Sequence, residues 1–392
     1  MMRAAGRVLW WGGLLVLVGV LTGLVATRIG RPVDPDRPPR PPTAACPPGA
    51  IVDDPATPDP LSPYPASAPF DEFVQGASLE LGGIRAPDVP GLLRSMRTRH
   101  HINTISIYGL ERWDAPGRHT NKDVLFAELS RQSMMIVIRL EAYDPDRFAF
   151  TGDDAAAVLT RHRELLRYVA APQRRGRLAY VSLNMPVDDP TVQGRLGGVD
   201  ASLSVQRQPA YAAALVRGVR DALPGVRVYL GLFYGWDGGY DVPSYAAAGA
   251  DGYVLTNYSY PGDTVPDAVA ADPDLINEAR LRIAVDRAVD QYGDRVPLVI
   301  EYGFHTAARH GARTPDQRAG LVADAAAKRR ALHATNRFYC ATYPNVRGTM
   351  YFGFNIVKRE GNPPALLDFA LSQPTASQTT ASQPTGELRP PA

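Results

Sequence analysis

From residue 73 to residue 354, short apolar runs rich in β-branched residues alternate with longer stretches whose apolar positions recur every three to four residues. The first pattern predicts strands and the second amphipathic helices. The predicted strands are Phe73 to Leu81, Ile102 to Tyr108, Met134 to Glu141, Leu178 to Asn184, Val226 to Phe233, Gly252 to Asn257, a run ending at Glu301, and Gly348 to Phe354. Several are apolar at successive positions, as in Leu298-Val299-Ile300, which suits strands covered on both faces. The clearest helical patterns are Asp153 to Val169, Gln208 to Leu223, Leu275 to Tyr292 and Thr314 to Asn336. Asp153 and Thr314 stand where N-caps belong, with Pro315 in a first turn. Pro224-Gly225 and Gly293 stand where helices should stop.

Eight strand-then-helix units predict an α/β fold, a (β/α)₈ TIM barrel, over residues 70–371. The competing fold is a doubly wound open sheet, which would show a Gly-rich phosphate turn after its first strand. Leu81-Gly82-Gly83 is a poor match to such a turn. No P-loop, Cys/His zinc spacing or G-x-S-x-G elbow occurs, so no cofactor and no metal are expected. His100-His101 has the look of a metal pair, but it closes a predicted helix and reads better as a solvated helix end. A net charge of +2 gives no electrostatic case for nucleic-acid binding.

The flanks differ from the body. Residues 8–26 carry no charge and include Trp10 and Trp11, long enough to cross a bilayer. Residues 1–27 are therefore expected to be a membrane anchor or signal segment, with Val25-Ala26-Thr27 leaving cleavage open. Residues 28–69 form a Pro-rich linker, and residues 372–392 a Ser/Thr/Gln/Pro tail expected to be disordered. Arg28, Arg31, Arg37 and Arg40 after the span favour a cytoplasmic body by charge count. The N-terminal position of the span, the spacer and the stalk-like tail favour the opposite. The expectation is a single-pass protein of the cell membrane with an extracytoplasmic barrel. Two cysteines, Cys46 and Cys340, could form a disulfide in an exported chain, or could be unrelated thiols.

In a (β/α)₈ barrel the chemistry lies at the C-terminal ends of the strands. Those ends carry Glu80; Tyr108, Glu111 and Trp113; Arg139 and Glu141; Asn184, Asp188 and Asp189; Tyr234, Trp236 and Asp237; Asn257 and Tyr258; Glu301, Tyr302 and His305; and Phe352. An ionised Glu is costly at the end of a run as apolar as Leu298-Val299-Ile300, so Glu301 reads as chemistry or as a buried salt bridge. The rim is rich in carboxylates and aromatics. Aromatic faces stack on the C–H faces of sugar rings, while carboxylates and amides bind hydroxyls. Each aromatic taken singly is more often a packing residue.

These residues resemble the retaining glycoside hydrolases with (β/α)₈ barrels known as clan A. Glu301-Tyr302-Gly303 matches the strand-seven ending of that group, whose Glu is the nucleophile. Asn184-Met185-Pro186 matches its strand-four Asn-Glu-Pro, except that Met185 replaces the acid/base Glu. Tyr351 to Phe354 stands where strand eight of the group ends in an aromatic. The resemblance implies a poly- or oligosaccharide partner. It also implies Glu301 as nucleophile, while the strand-end reading puts Asn184, Arg139, Tyr108, Trp113, Tyr234, Trp236, Asp237, Asn257, Tyr258, Tyr302, His305 and Phe352 toward the substrate.

A thioether donates no proton, and losing general acid catalysis costs about 10²–10⁴-fold in rate. A relocated acid is therefore sought among Asp188, Asp189, Glu141 and Asp237, although Asp188-Asp189-Pro190 also reads as a turn. If the chain is a degenerate hydrolase, Met185→Glu should restore some hydrolysis. The alternatives to an enzyme are a non-catalytic carbohydrate-binding barrel and a cell-envelope scaffold.

Overall fold

The structure is a computed structural model, and it describes residues 73–80, 84, 86–99, 102–115, 117–142, 150–185, 201–233, 245–256, 278–302 and 335–351. Eight parallel strands close into a barrel in sequence order. They are β1 (Val74–Glu80), β2 (Thr104–Tyr108), β3 (Met135–Glu141), β4 (Leu178–Asn184), β5 (Val228–Phe233), β6 (Gly252–Thr256), β7 (Leu298–Tyr302) and β8 (Val346–Tyr351). The ring is sealed by β1 on β8, where Val74 pairs with Gly348 and Ala77 with Tyr351. Each strand lies within a few residues of its predicted run.

Between them run α1 (Val89–Arg99), α2 (Thr120–Arg131), α3 (Gly152–Arg161), α4 (Arg163–Val169), the short α5 (Pro172–Arg175), α6 (Ala201–Ala222) and α7 (Glu278–Tyr292). A last helix, α8, is seen over residues 335–342. The helix expected from Asp153 to Val169 is instead two, broken at His162 (φ −91°, ψ 2°). Its N-cap is Thr151 rather than Asp153. The Thr151 hydroxyl accepts from the Asp154 amide, and Asp154 answers with a carboxylate to the Thr151 amide. The helix expected from Gln208 starts earlier, at Ala201, and carries Pro209 inside it. The last helix extends to residue 342, past the expected end at Asn336, and Thr314 and Pro315 lie outside the described residues. Gly225 (φ 80°) and Gly293 (φ 94°) take the left-handed conformation that ends their helices, as predicted.

Strand side chains alternate between the lumen and the helix layer. The outward set, including Ile105, Ile138, Leu183, Leu230, Leu255 and Ile300, packs under the helices in one large apolar core. The inward set forms a second cluster of Val74, Val137, Ala179, Tyr180, Tyr229, Val254, Val299 and Met350. The rings of Tyr180 and Tyr229 stack there, 4.6 Å apart and 20° from parallel. Room for this filling comes from Gly252, where a Cβ would lie 2.8 Å from the Tyr229 ring, and Gly76, where one would meet the Met350 side chain. The lumen is thus a packed floor, and what matters for function stands on top of it.

Among the described residues no helix is long and apolar enough to cross a membrane. The apolar segment 8–26, the linker 28–69 and the tail 372–392 lie outside the described residues. Cys340, buried on α8, is disulfide-bonded, and no described cysteine is free. The chain's other cysteine, Cys46, lies outside the described residues.

Candidate active site

Two residues beyond the apolar floor, the lumen turns polar. Val137 is followed by Arg139, Tyr180 by Ser182, Tyr229 by Gly231, Val254 by Thr256 and Val299 by Glu301. On β1 and β2 the same step brings Ser78 and Ser106, paired in register, to this level. Small residues at Ser78, Ser106, Ser182 and Gly231 leave room for one long side chain to cross, and that side chain is Arg139.

Arg139 on β3 forms a salt bridge with Glu301 on β7. The guanidinium also donates from Nε to Ser106 Oγ at 2.6 Å. Both charged groups are out of water, with Arg139 6 % exposed and Glu301 1 %. Burial is the main influence on Glu301 and pushes its carboxyl up to about 8, opposed by the neighbouring Ser78 hydroxyl. The Arg139 contact pulls the same way as Ser78. Arginine keeps its proton, so protonating Glu301 would strand a buried cation. The pair therefore stands as an ion pair at neutral pH.

A second carboxyl stands one step higher, at the rim. Glu141 ends β3 and pairs in register with Asn184, the end of β4. Burial is the largest influence on Glu141 and raises its carboxyl above the ordinary range. Arg139, a hydrogen bond from Asn184 and Arg161 oppose the rise, while Glu111 adds to it. Asn184 is held in turn by Ser182, whose hydroxyl donates to Asn184 Oδ1 at 3.3 Å. Glycine at 231 permits this, because a Cβ there would lie 2.8 Å from Asn184 Oδ1. The main chain beneath Glu141 is strapped to the helix layer. Its carbonyl accepts from Arg161 Nη2 at 2.6 Å and lies 3.3 Å from His162 Nε2, and the next carbonyl, of Ala142, accepts from Tyr211. The site thus combines a fixed anion, a carboxyl disposed to hold a proton, and an amide between strands. That set can bind hydroxyls and exchange a proton.

Glu301, Arg139, Asn184 and Glu141 all stand at the C-terminal ends of their strands, where the sequence places them. Tyr302 does not join them. Its side chain lies in the outer core, its hydroxyl donating to Asn336 Oδ1 at 3.0 Å, because strand alternation sends it to the side opposite Glu301. Trp113 likewise packs, half-buried, against the outer core. Met185 is 5 % exposed within that core. Tyr108 ends β2 in the backbone. Asp188, Asp189, Tyr234, Trp236, Asp237, Asn257, Tyr258, His305 and Phe352 lie outside the described residues, as do His100 and His101. Ser78, Ser106 and Ser182 were not singled out from sequence, although each sits at lumen parity one step inside its strand's end. No group of metal-ligating side chains occurs among the described residues.

No family model matches the chain, and no curated protein matches it by sequence. Its solved structural neighbours include glycoside hydrolases. One is a beta-galactosidase from the Antarctic haloarchaeon Halorubrum lacusprofundi, 12 % identical with a TM-score of 0.46, over 76 % of this chain and 57 % of that enzyme. A second is GH5_18 from Streptomyces cattleya in complex with GlcNAc, 12 % identical with a TM-score of 0.46, over 76 % of this chain and 79 % of the other. A third is a GH10 endoxylanase retrieved from sugarcane soil metagenome, 11 % identical with a TM-score of 0.43, over 77 % of this chain and 97 % of the other. This chain spans little more than half of the galactosidase. Likeness at this level concerns the barrel scaffold, and the scaffold hosts many chemistries.

Proposed function

We propose that the chain is a glycoside-hydrolase-like barrel that binds a poly- or oligosaccharide at the C-terminal face, with Glu301 the central carboxylate and Glu141 the proton carrier. The observation that carries this reading is the pair of carboxyls in contrasting surroundings. Glu301 is kept ionised by Arg139, and Glu141 is raised by burial beside Asn184. Two carboxyls whose environments divide the roles of anion and acid are what glycoside hydrolysis requires. Glu141 stands on the neighbouring strand, in register with Asn184, the residue just before the position where the clan A resemblance places the acid. Asp188 and Asp189 remain proposals for the acid by their place after β4. The remaining rim aromatics and amides named from the sequence are proposed as sugar contacts.

The barrel is further proposed to be extracytoplasmic, anchored to the membrane through residues 8–26. A disulfide at Cys340 supports an oxidising compartment.

The deciding experiment uses the full chain with aryl glycosides and cell-wall and plant polysaccharides. Turnover that falls about 10²–10⁴-fold in Glu141→Gln, more on poor leaving groups than on good ones, supports the assignment. Turnover indifferent to both Glu141→Gln and Glu301→Gln removes it. A non-catalytic carbohydrate-binding reading is favoured by one observation, that Arg139 and Glu301 satisfy each other away from water. Binding in calorimetry without turnover on any substrate would select it.

A further inference from the structure

Ser106 stands in the middle of β2, between Ile105 and Ile107, whose side chains pack in the outer core. Parity therefore sends Ser106 into the lumen, where it is completely buried. Val137, Val254 and Val299 fill lumen positions on other strands. A hydroxyl in such a place is costly unless it is hydrogen-bonded. Its partner is Arg139, the guanidinium that crosses to Glu301. We propose that Ser106 is a positioning residue for the site, acting through Arg139 by holding the guanidinium against Glu301.

The hydroxyl does what Glu301 alone does not. Arginine carries its N–H donors in one plane and has no acceptor of its own. The ion pair with Glu301 uses Nη2. Nε, nearer the root of the side chain, donates to Ser106 Oγ at 2.6 Å. A single contact at the tip leaves the planar group free to turn about the bonds of its stem. Contacts at both Nε and Nη2 fix the plane, one from β2 and one from β7, on a stem rooted in β3. Arg139 is buried and keeps its charge, so removing the acceptor at Nε costs more than it would for a neutral donor.

A second hydroxyl on the same strand separates positioning from stability. Thr104 shares the lumen parity of Ser106, is buried, and begins β2 at the opposite end of the barrel. Its hydroxyl donates to Asn103 Oδ1 at 2.9 Å. Asn103 in turn accepts from the Gln75 amide and donates to the Phe73 carbonyl. That hydroxyl serves the entry to β1 and β2, away from Glu301.

This inference rests on Glu301 as the central carboxylate of the site, and its first readout does not depend on turnover. The full chain is labelled with ¹⁵N at arginine Nε, and the Arg139 signal is identified by its loss in Arg139→Lys. Exchange of the Arg139 Nε proton with water should quicken about tenfold or more in Ser106→Ala. Ser106→Thr keeps the hydroxyl and should restore slow exchange, and Thr104→Val should leave it slow. If the added methyl of Ser106→Thr prevents folding, Ser106→Cys, a weaker acceptor of similar size, should fall between serine and alanine. The second readout is kinetic. On aryl glycosides Ser106→Ala should lower kcat about tenfold with KM nearly unchanged, while Thr104→Val keeps both. Unchanged exchange in Ser106→Ala overturns the proposal, as do equal effects of Ser106→Ala and Thr104→Val. Faster exchange with unaltered turnover also overturns it, because the hold would then be structural only. If the chain binds saccharide without turnover, the loss is read as affinity in calorimetry. Faster exchange with weaker binding would then uphold Ser106 and remove the catalytic role of Glu301.

Discussion

Arg139 and Glu301 stand on β3 and β7, strands on opposite sides of the closed barrel, and their side chains meet across the lumen above the stacked tyrosines. One ion pair thus ties the two halves of the ring at the level of the site. A buried pair adds little stability over a well-packed apolar pair, but breaking it strands a charge.

Arg139→Met should therefore cost about 3–5 kcal/mol in chemical denaturation at neutral pH. The double variant Arg139→Met with Glu301→Gln should recover much of that. The single variant's deficit should also depend on pH. Without the arginine, burial leaves Glu301 raised above the ordinary carboxyl range. A carboxyl raised in the fold is favourable below its unfolded value of about 4.3 and loses that contribution as pH rises through the folded value. The deficit should be small near pH 4 and grow as pH rises through the raised value. A deficit independent of pH would mean that Arg139 contributes packing alone.

Glu141 offers a second pH test. Its folded carboxyl is also raised, so its contribution is present below about 4.3 and declines as pH rises through the folded value. Glu141→Gln should melt at or above the unmodified protein at neutral pH, with the difference vanishing toward pH 4. A variant that melts lower at neutral pH and not in acid would show that the ionised form is what the fold prefers.

Gly231→Ala probes the rim amide. The added Cβ would lie 2.8 Å from Asn184 Oδ1 and 3.3 Å from Ser182 Oγ, both at side-chain ends that can move. Saccharide binding or turnover should fall about tenfold, with a stability loss of about 1 kcal/mol. Gly348→Ala gives the contrast. Its Cβ would lie 2.6 Å from the Val74 carbonyl oxygen, where β8 closes on β1, so stability should fall by several times that amount. Equal losses in the two variants would contradict the distinction between movable side chain and backbone.

Met185→Glu should not restore hydrolysis. The side chain lies in the apolar layer under the helices, so a carboxylate there should destabilise the barrel by about 2–5 kcal/mol. Denaturation and an aryl-glycoside assay on the same sample check this. A stable, newly active variant would return the missing acid to this position.

Mass spectrometry of the non-reduced chain should find Cys340 in a linked peptide with Cys46, the other cysteine of the sequence. Cys340→Ser should lower stability by about 2–5 kcal/mol. Recovery of free Cys340 from the unreduced protein would contradict the pairing.

The eight strands, their order and the helix stops at Gly225 and Gly293 were legible in the chain, because runs such as Leu298-Val299-Ile300 can be buried only between two apolar layers. The C-terminal placing of Glu301, Arg139, Asn184 and Glu141 followed from that order. Parity was not legible: neighbours in sequence point to opposite faces, and only ring closure says which face is the lumen. That is why Glu301 and Asn184 face inward while Tyr302 and Met185, one residue on, enter the outer core. The meeting of Arg139 with Glu301, and of Arg161 and His162 with the Glu141 carbonyl, were decided only by the tertiary structure. Contacts across a barrel depend on strand tilt and side-chain reach, and local sequence pattern encodes neither.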